Sequence, residues 1–179
     1  MVLTDIIEEL KEASSQVSEK QIDNFIDSIN SHKRIFVYGT GRSGLMLKAF
    51  AMRLMQIGKT AYVIGETTTP SVASGDLLVV ASASGETQSV CNTADNGVKQ
   101  GTDVIVITGG QESTLSKAHN PLIRLEAATK YTQSKASIQP LGSLFEQMLL
   151  LIFDAVILKM SLQDAESNQE MAKRHASIE

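Results

Sequence analysis

Apolar residues first recur at helical spacing, as Leu3, Ile6, Ile7 and Leu10 and then as Ile22, Phe25, Ile26 and Ile29. Steps of three and four put each set on one face, which predicts two amphipathic helices over residues 1–31. Ser18 and Gln21 have the spacing of a capping box that would open the second helix. The period then changes. Arg34–Tyr38, Ala61–Ile64, Leu77–Ala81 and Val104–Ile107 are short runs rich in β-branched residues, each followed by Gly, Ser or Thr. Continuous apolar runs of this kind are buried on both faces, as parallel strands between helices are. Gly44–Ile57 and Thr87–Gln100, which lie between them, have helical character, and Pro121–Leu125 reads as a fifth strand. Residues 34–125 are therefore expected to form the sheet core. Leu141–Met160 is apolar on nearly every side, which fits a helix buried against the sheet or against another subunit. A shorter helix, Leu162–His175, is expected to follow, so that residues 140–177 form the C-terminal helices. The pattern as a whole predicts one α/β domain over residues 1–179, with a doubly wound sheet between helical layers and an N-terminal helical arm.

Composition narrows the partners. The 179 residues, 42% hydrophobic and 20% charged, suit one globular domain. With 16 Lys plus Arg against 20 Asp plus Glu, a net charge of -4 and no basic stretch, nucleic acid is not expected as a partner. Cys91 is the only cysteine, so no internal disulfide can form. The opening MVLTDIIEELKEASS is acidic and amphipathic, unlike a signal peptide, and a cytoplasmic location is expected. The apolar stretch Met148–Met160 is interrupted by Asp154 and Lys159 and is shorter than the roughly 20 residues of a membrane span, so no membrane partner is expected.

Two strand ends carry candidate chemistry. Gly39-Thr40-Gly41-Arg42-Ser43-Gly44 follows a predicted strand, opens a predicted helix and matches G-x-G-x-x-G, with Glu66 near the place of a ribose-binding acid. Glycines at such a turn let backbone N–H groups approach an anion at a helix N-terminus. A dinucleotide site, another anion site and a plain tight turn all remain open from this motif. The second turn is Ser82-Ala83-Ser84-Gly85-Glu86-Thr87, after which a helix is expected to begin near Ser84. Three hydroxyls and several N–H groups there suit a phosphomonoester; Ser84 as a plain N-cap is the competing reading. In an open α/β sheet, loops at the carboxyl ends of strands beside the switch point share one crevice, so the two turns together favour one phosphate-bearing ligand.

GTGRSG and SASGET, in that order and each closing a strand, resemble the sugar isomerase (SIS) domain family. FAMRLMQIGKTAYVIGETTTP, ASASGETQSV, LGSLFEQ and the terminal KRH further resemble the 6-phospho-3-hexuloisomerase family over nearly the whole chain. The resemblance implies a three-layer αβα sandwich with a five-stranded parallel sheet. It also implies conversion of 3-hexulose 6-phosphate into fructose 6-phosphate, a homo-oligomer, dimer or tetramer, with sites near subunit contacts, and work alongside 3-hexulose-6-phosphate synthase in formaldehyde fixation.

Moving a carbonyl from C3 to C2 needs a base that takes the C2 proton and returns one to C3 through an enediol. Glu146 is the candidate, because an apolar setting would raise its pKa toward a useful value, and the resemblance points to the same residue. Ser143 and Glu146 also have capping-box spacing, which is the competing reading. Gly41, Arg42 and Ser43, with Ser82, Ala83, Ser84, Gly85, Glu86 and Thr87, are the expected substrate-binding residues; for Arg42 a surface ion pair competes. Asp154 reads as a buried partner in an ion pair, with a second acid as the competing reading. His175 would be solvated or would reach a neighbouring subunit's site as an auxiliary acid, while His32 and His119 read as exposed. The histidines lack metal-ligand spacing, and neither metal nor cofactor is expected. With O6 phosphorylated, a 3-ketohexose has no hydroxyl placed to close a five- or six-membered ring on C3, so ring opening is not required. The alternative to an enzyme is a non-catalytic sugar-phosphate-binding regulatory module.

Overall fold

The computed structural model describes residues 1–126, 137–163, 167–175 and 177. Two helices open the chain, α1 (Val2–Ser14) and α2 (Glu19–Ser31). Ser18 and Gln21 form the expected capping box, the Gln21 amide donating to Ser18 Oγ at 3.3 Å and the Ser18 amide to Gln21 Oε1 at 2.9 Å. Strand β1 (Arg34–Tyr38), helix α3 (Gly41–Gln56) and strands β2 (Thr60–Val63) and β3 (Leu77–Ser82) follow. Next come α4 (Gln88–Lys99), β4 (Asp103–Thr108), α5 (Thr114–Ala118), β5 (Ile123–Arg124), α6 (Ser143–Ser161) and α7 (Ser167–Lys173).

All pairings are parallel and the strand order is β2-β1-β3-β4-β5. Successive side chains of a strand point to opposite faces, and the core divides accordingly. Ile35 and Val37 of β1, with Leu77, Val79 and Ala81 of β3, face a layer made by α1, α2, α3 and α6. Phe36, Leu78 and Val80 face α4 and α5 through Val90, Cys91, Ala94 and Leu115. The result is the expected three-layer sandwich. Helices α3 and α6 run side by side in the same direction: Phe50 stacks on Phe153 with ring centroids 4.3 Å apart, and Phe25 of α2 closes on both. Each such fully buried ring contributes about 1.5–3 kcal/mol relative to exposure.

The expected strands are present, β2, β3 and β4 with ends one residue from those expected and β5 shorter than Pro121–Leu125, while α6 starts at Ser143 rather than Leu141. Helix α3 starts at Gly41 rather than Gly44, and α4 starts at Gln88, with Thr87 rather than Ser84 as its N-cap. Helix α5 was not expected, and α7 is shorter than Leu162–His175. Among the described residues, no helix is long and apolar enough to cross a membrane.

Candidate active site

Because β1 and β3 are neighbours whose following helices lie on opposite faces of the sheet, their carboxyl ends flank the switch point, where a crevice opens. A cavity of about 220 Å³ occupies it. Its walls are residues 40–43 at the start of α3, residues 81–84 and Thr87 before α4, and Leu141, Gly142 and Glu146 at the start of α6. Three helix N-termini therefore converge on one cavity. The caps separate these helices from two others: α2 and α5 carry capping boxes, whereas α3, α4 and α6 have no side-chain cap. First-turn N–H groups without intrahelical partners, reinforced by helix dipoles, favour an anion there.

The earlier start of α3 puts Gly41, Arg42 and Ser43 in its first turn, on the cavity wall. Gly44 serves packing instead, since a Cβ there would come 2.5 Å from the Gly39 carbonyl oxygen. In the second turn, Ser82 Oγ accepts the Gly85 amide at 3.1 Å and donates to Thr87 Oγ1 at 3.3 Å, while Ser84 Oγ accepts the Glu86 amide at 3.2 Å. The serine oxygens thus tie the loop to itself, and Ser84 and Thr87 line the cavity. Gly85 has φ +66, and a Cβ on it would collide with the Ser113 side chain. That packing makes α5 the buttress of the loop.

Glu86 belongs to the buttress too. Its carboxylate accepts the Thr114 hydroxyl at 2.6 Å and the Thr114 amide at 2.9 Å. These two bonds hold its carboxyl below the usual range. Gly85 and Glu86, expected among the binding residues, therefore lie outside the cavity wall, while Ser82, Ala83, Ser84 and Thr87 lie on it.

Glu146 sits across the cavity with its side chain 16% exposed, and its Oε2 is 2.6 Å from Arg42 Nε. The capping-box reading of Ser143 and Glu146 does not hold. Gly142 is the N-cap, the Ser143 hydroxyl donates to the Pro140 carbonyl at 2.8 Å, and the Glu146 carboxylate turns to Arg42 instead. A carboxylate beside a guanidinium and facing an anion-binding loop can exchange a proton with a carbon whose neighbouring oxygens the cation holds.

Other candidates lie elsewhere. Glu66 pairs with Lys48 at 2.6 Å and borders a different depression. Asp154 is exposed rather than buried with a partner. His32 and His119 are mostly buried rather than exposed, and face Asp103 at 3.1 Å and Asp95 at 2.8 Å. His175 is exposed beside Arg174, whose Nη1 donates to the Gln56 carbonyl at 3.1 Å. Gln56 ends α3 and Arg42 begins it, so about 21 Å of helix lies between them, and His175 does not enter the cavity of its own chain. Among the described residues no cluster of His, Cys, Asp and Glu could hold a metal ion.

Sequence reasoning missed Thr40, Ala81, Leu141 and Gly142 as wall residues. Thr40 was within the first glycine-rich turn and could have been taken with it. Leu141 gave no signal, because its φ of 57° lies in a region leucine rarely adopts.

Residues 28–155 match the model of the SIS domain. The chain is 42% identical to 3-hexulose-6-phosphate isomerase of Bacillus subtilis, over 99% of this chain and 97% of that one. It is 36% identical to the enzyme of that name from Mycobacterium gastri, over 99% of this chain and 89% of the other. A Methanococcus jannaschii protein, for which crystallography infers a molecular function of 3-hexulose-6-phosphate isomerase, superposes with a TM-score of 0.81 at 30% identity. That superposition covers 99% of this chain and 98% of the other. Fold, paired turns and full-length relatives agree, and the chain belongs to the SIS domain family and, within it, to the group of 3-hexulose-6-phosphate isomerase relatives.

Proposed function

We propose that this protein converts 3-hexulose 6-phosphate into fructose 6-phosphate. The observation that carries the reading is the placement of Glu146, bonded to Arg42, across one cavity from Ser84 and Thr87. The hydroxyls of Ser84 and Thr87, with the first-turn amides of α3 and α4, hold the phosphate. Glu146 takes the proton from C2, giving an enediol across C2 and C3. As the O2 proton passes to O3, the same carboxyl returns its proton to C3, so nothing is gained or lost. Arg42 binds the oxygens on which charge develops.

Several features support a homo-oligomer: Leu45, Met52 and Met55 of α3 and Leu151 and Leu158 of α6 expose apolar side chains. His175, remote from its own cavity, would act only from a neighbouring subunit. A cytoplasmic location and a functional link to a 3-hexulose-6-phosphate synthase, which would supply the substrate, belong to the same reading.

Incubation with 3-hexulose 6-phosphate, followed by measurement of fructose 6-phosphate, tests it. Binding of fructose 6-phosphate without turnover would make the chain a regulatory module. Stabilisation by NAD but not by sugar phosphates would overturn both readings.

A further inference from the structure

The chain entering α6 is held by a residue from the other end of the sequence. Glu9, half-buried on α1, accepts three hydrogen bonds from the segment 137–139: the Ile138 amide at 2.7 Å on Oε1, and the Ser137 hydroxyl and Gln139 Nε2, both at 3.0 Å, on Oε2. The Gln139 amide donates back to Ser137 Oγ at 3.0 Å, and Gln139 is 9% exposed. One carboxylate therefore organises three consecutive residues, each bond charge-assisted.

Two residues further on, the backbone becomes unusual. Leu141 has φ 57°, and among the described residues it alone has positive φ without being glycine. This conformation is unfavourable for a residue with a Cβ and persists only where the surroundings impose it. Leu141 is 71% exposed, so packing of its own side chain does not impose it. Leu141 lines the cavity, and so does the next residue, Gly142, which faces both Glu146 and Ala83: a Cβ built on it would just reach van der Waals contact, 3.5 Å from Glu146 Oε1 and 3.7 Å from Ala83 Cβ. The turn thus lies on the cavity wall between the proposed base and the phosphate loop.

We propose that Glu9 is a positioning residue for the sugar side of this cavity: it fixes residues 137–139, and through them holds the Leu141–Gly142 turn between Glu146 and Ala83. The inference rests on reading the cavity as a sugar-phosphate site. It makes α1 part of the working site, and it separates two functions of the wall. The phosphate hydroxyls of Ser84 and Thr87 are held by the loop's own bonds and by α5, which Glu9 does not touch. The sugar end depends on the turn that Glu9 holds.

Calorimetric titration of the full-length protein with fructose 6-phosphate and, separately, with inorganic phosphate distinguishes this role from a contribution to stability alone. Glu9→Ala is expected to weaken fructose 6-phosphate binding about tenfold while inorganic phosphate changes less than about twofold, tenfold corresponding to 1.4 kcal/mol. Glu9→Gln keeps the size and one acceptor oxygen, and should shift the same ratio by a smaller factor; it carries the test if the alanine variant does not fold. An unchanged ratio of the two affinities in a folded variant overturns the proposal, even if the melting temperature falls. Wild-type protein that binds fructose 6-phosphate but shows no turnover would instead count against the isomerase reading, leaving the ratio free to be judged by itself.

Discussion

Arg42 Nε and Glu146 Oε2 are 2.6 Å apart, joining the first turns of two parallel helices that the chain forms far apart in sequence. The proposed base is therefore held in place before substrate arrives. Its partner is also the group best placed to hold the substrate's oxygens, so binding must redirect this pair rather than build a site from nothing.

Replacing the base separates binding from chemistry. Glu146→Gln keeps the shape and can still accept a hydrogen bond from Arg42, but cannot take a proton. Turnover should fall by about 10²- to 10⁴-fold, while fructose 6-phosphate binding, measured by calorimetry, stays within a few fold. Near-normal kcat in the variant would remove Glu146 from the chemistry.

Arg42 is 60% exposed, so an ion pair of little consequence is the competing explanation. Arg42→Met should lower kcat/KM by about a hundredfold if the guanidinium holds developing charge. Arg42→Lys should recover only part of that, because an ammonium keeps the charge without the planar fork. A loss below about threefold in Arg42→Met would assign the pair to the surface.

Much of this site was legible because its parts lie next to strands that announce themselves. Short β-branched runs such as Leu77–Ala81 read as buried strands, and their ends bring GTGRSG and SASGET to one edge of the sheet. The helix starts were harder. Gly44 reads as the start of the helix, yet α3 begins three residues earlier at Gly41, and Gly44 lies inside it close against the Gly39 backbone. Ser84 reads as a cap, but the positive φ of Gly85 carries the chain on to Thr87 before α4 begins. For Glu86 the sequence carries no mark of which way the carboxylate turns; in the structure it turns to Thr114. Helix α5 has five residues and no apolar period to reveal it.

At the other end of the sheet, Asp76 is 5% exposed and accepts Arg34 Nε at 2.8 Å and the Ala73 amide at 2.7 Å. Burial alone would push its carboxyl up, but the Arg34 and Ala73 bonds outweigh burial and hold it below the usual range. A carboxyl depressed on folding contributes stability above its unfolded pKa of about 3.9, and the contribution is lost as pH falls through the lower folded value. Asp76→Asn should therefore melt below the wild type at pH 6, with the gap narrowing toward pH 3. Thermal unfolding across that range checks the sign, and a gap that stays constant would refute the linkage.

The phosphate loop offers the complementary separation to Glu146. Ser84 and Thr87 are on the cavity wall, whereas Glu86 turns away to α5. If the hydroxyls anchor the phosphate equally in the ground state and the transition state, Ser84→Ala and Thr87→Val should raise KM with kcat nearly unchanged, since uniform binding affects only the former. Each lost hydrogen bond to a charged group costs about 1.5–3 kcal/mol, or roughly 10- to 150-fold in KM. Glu86→Gln should leave that anchor largely in place and act chiefly on the stability of the loop and α5, because its bonds are to Thr114 and not to the cavity. Steady-state kinetics of the three variants, with their melting temperatures, would show it; a fall in kcat at Ser84 or Thr87 with KM unmoved would mean that the loop takes part in the proton transfer and Glu146 does not act alone.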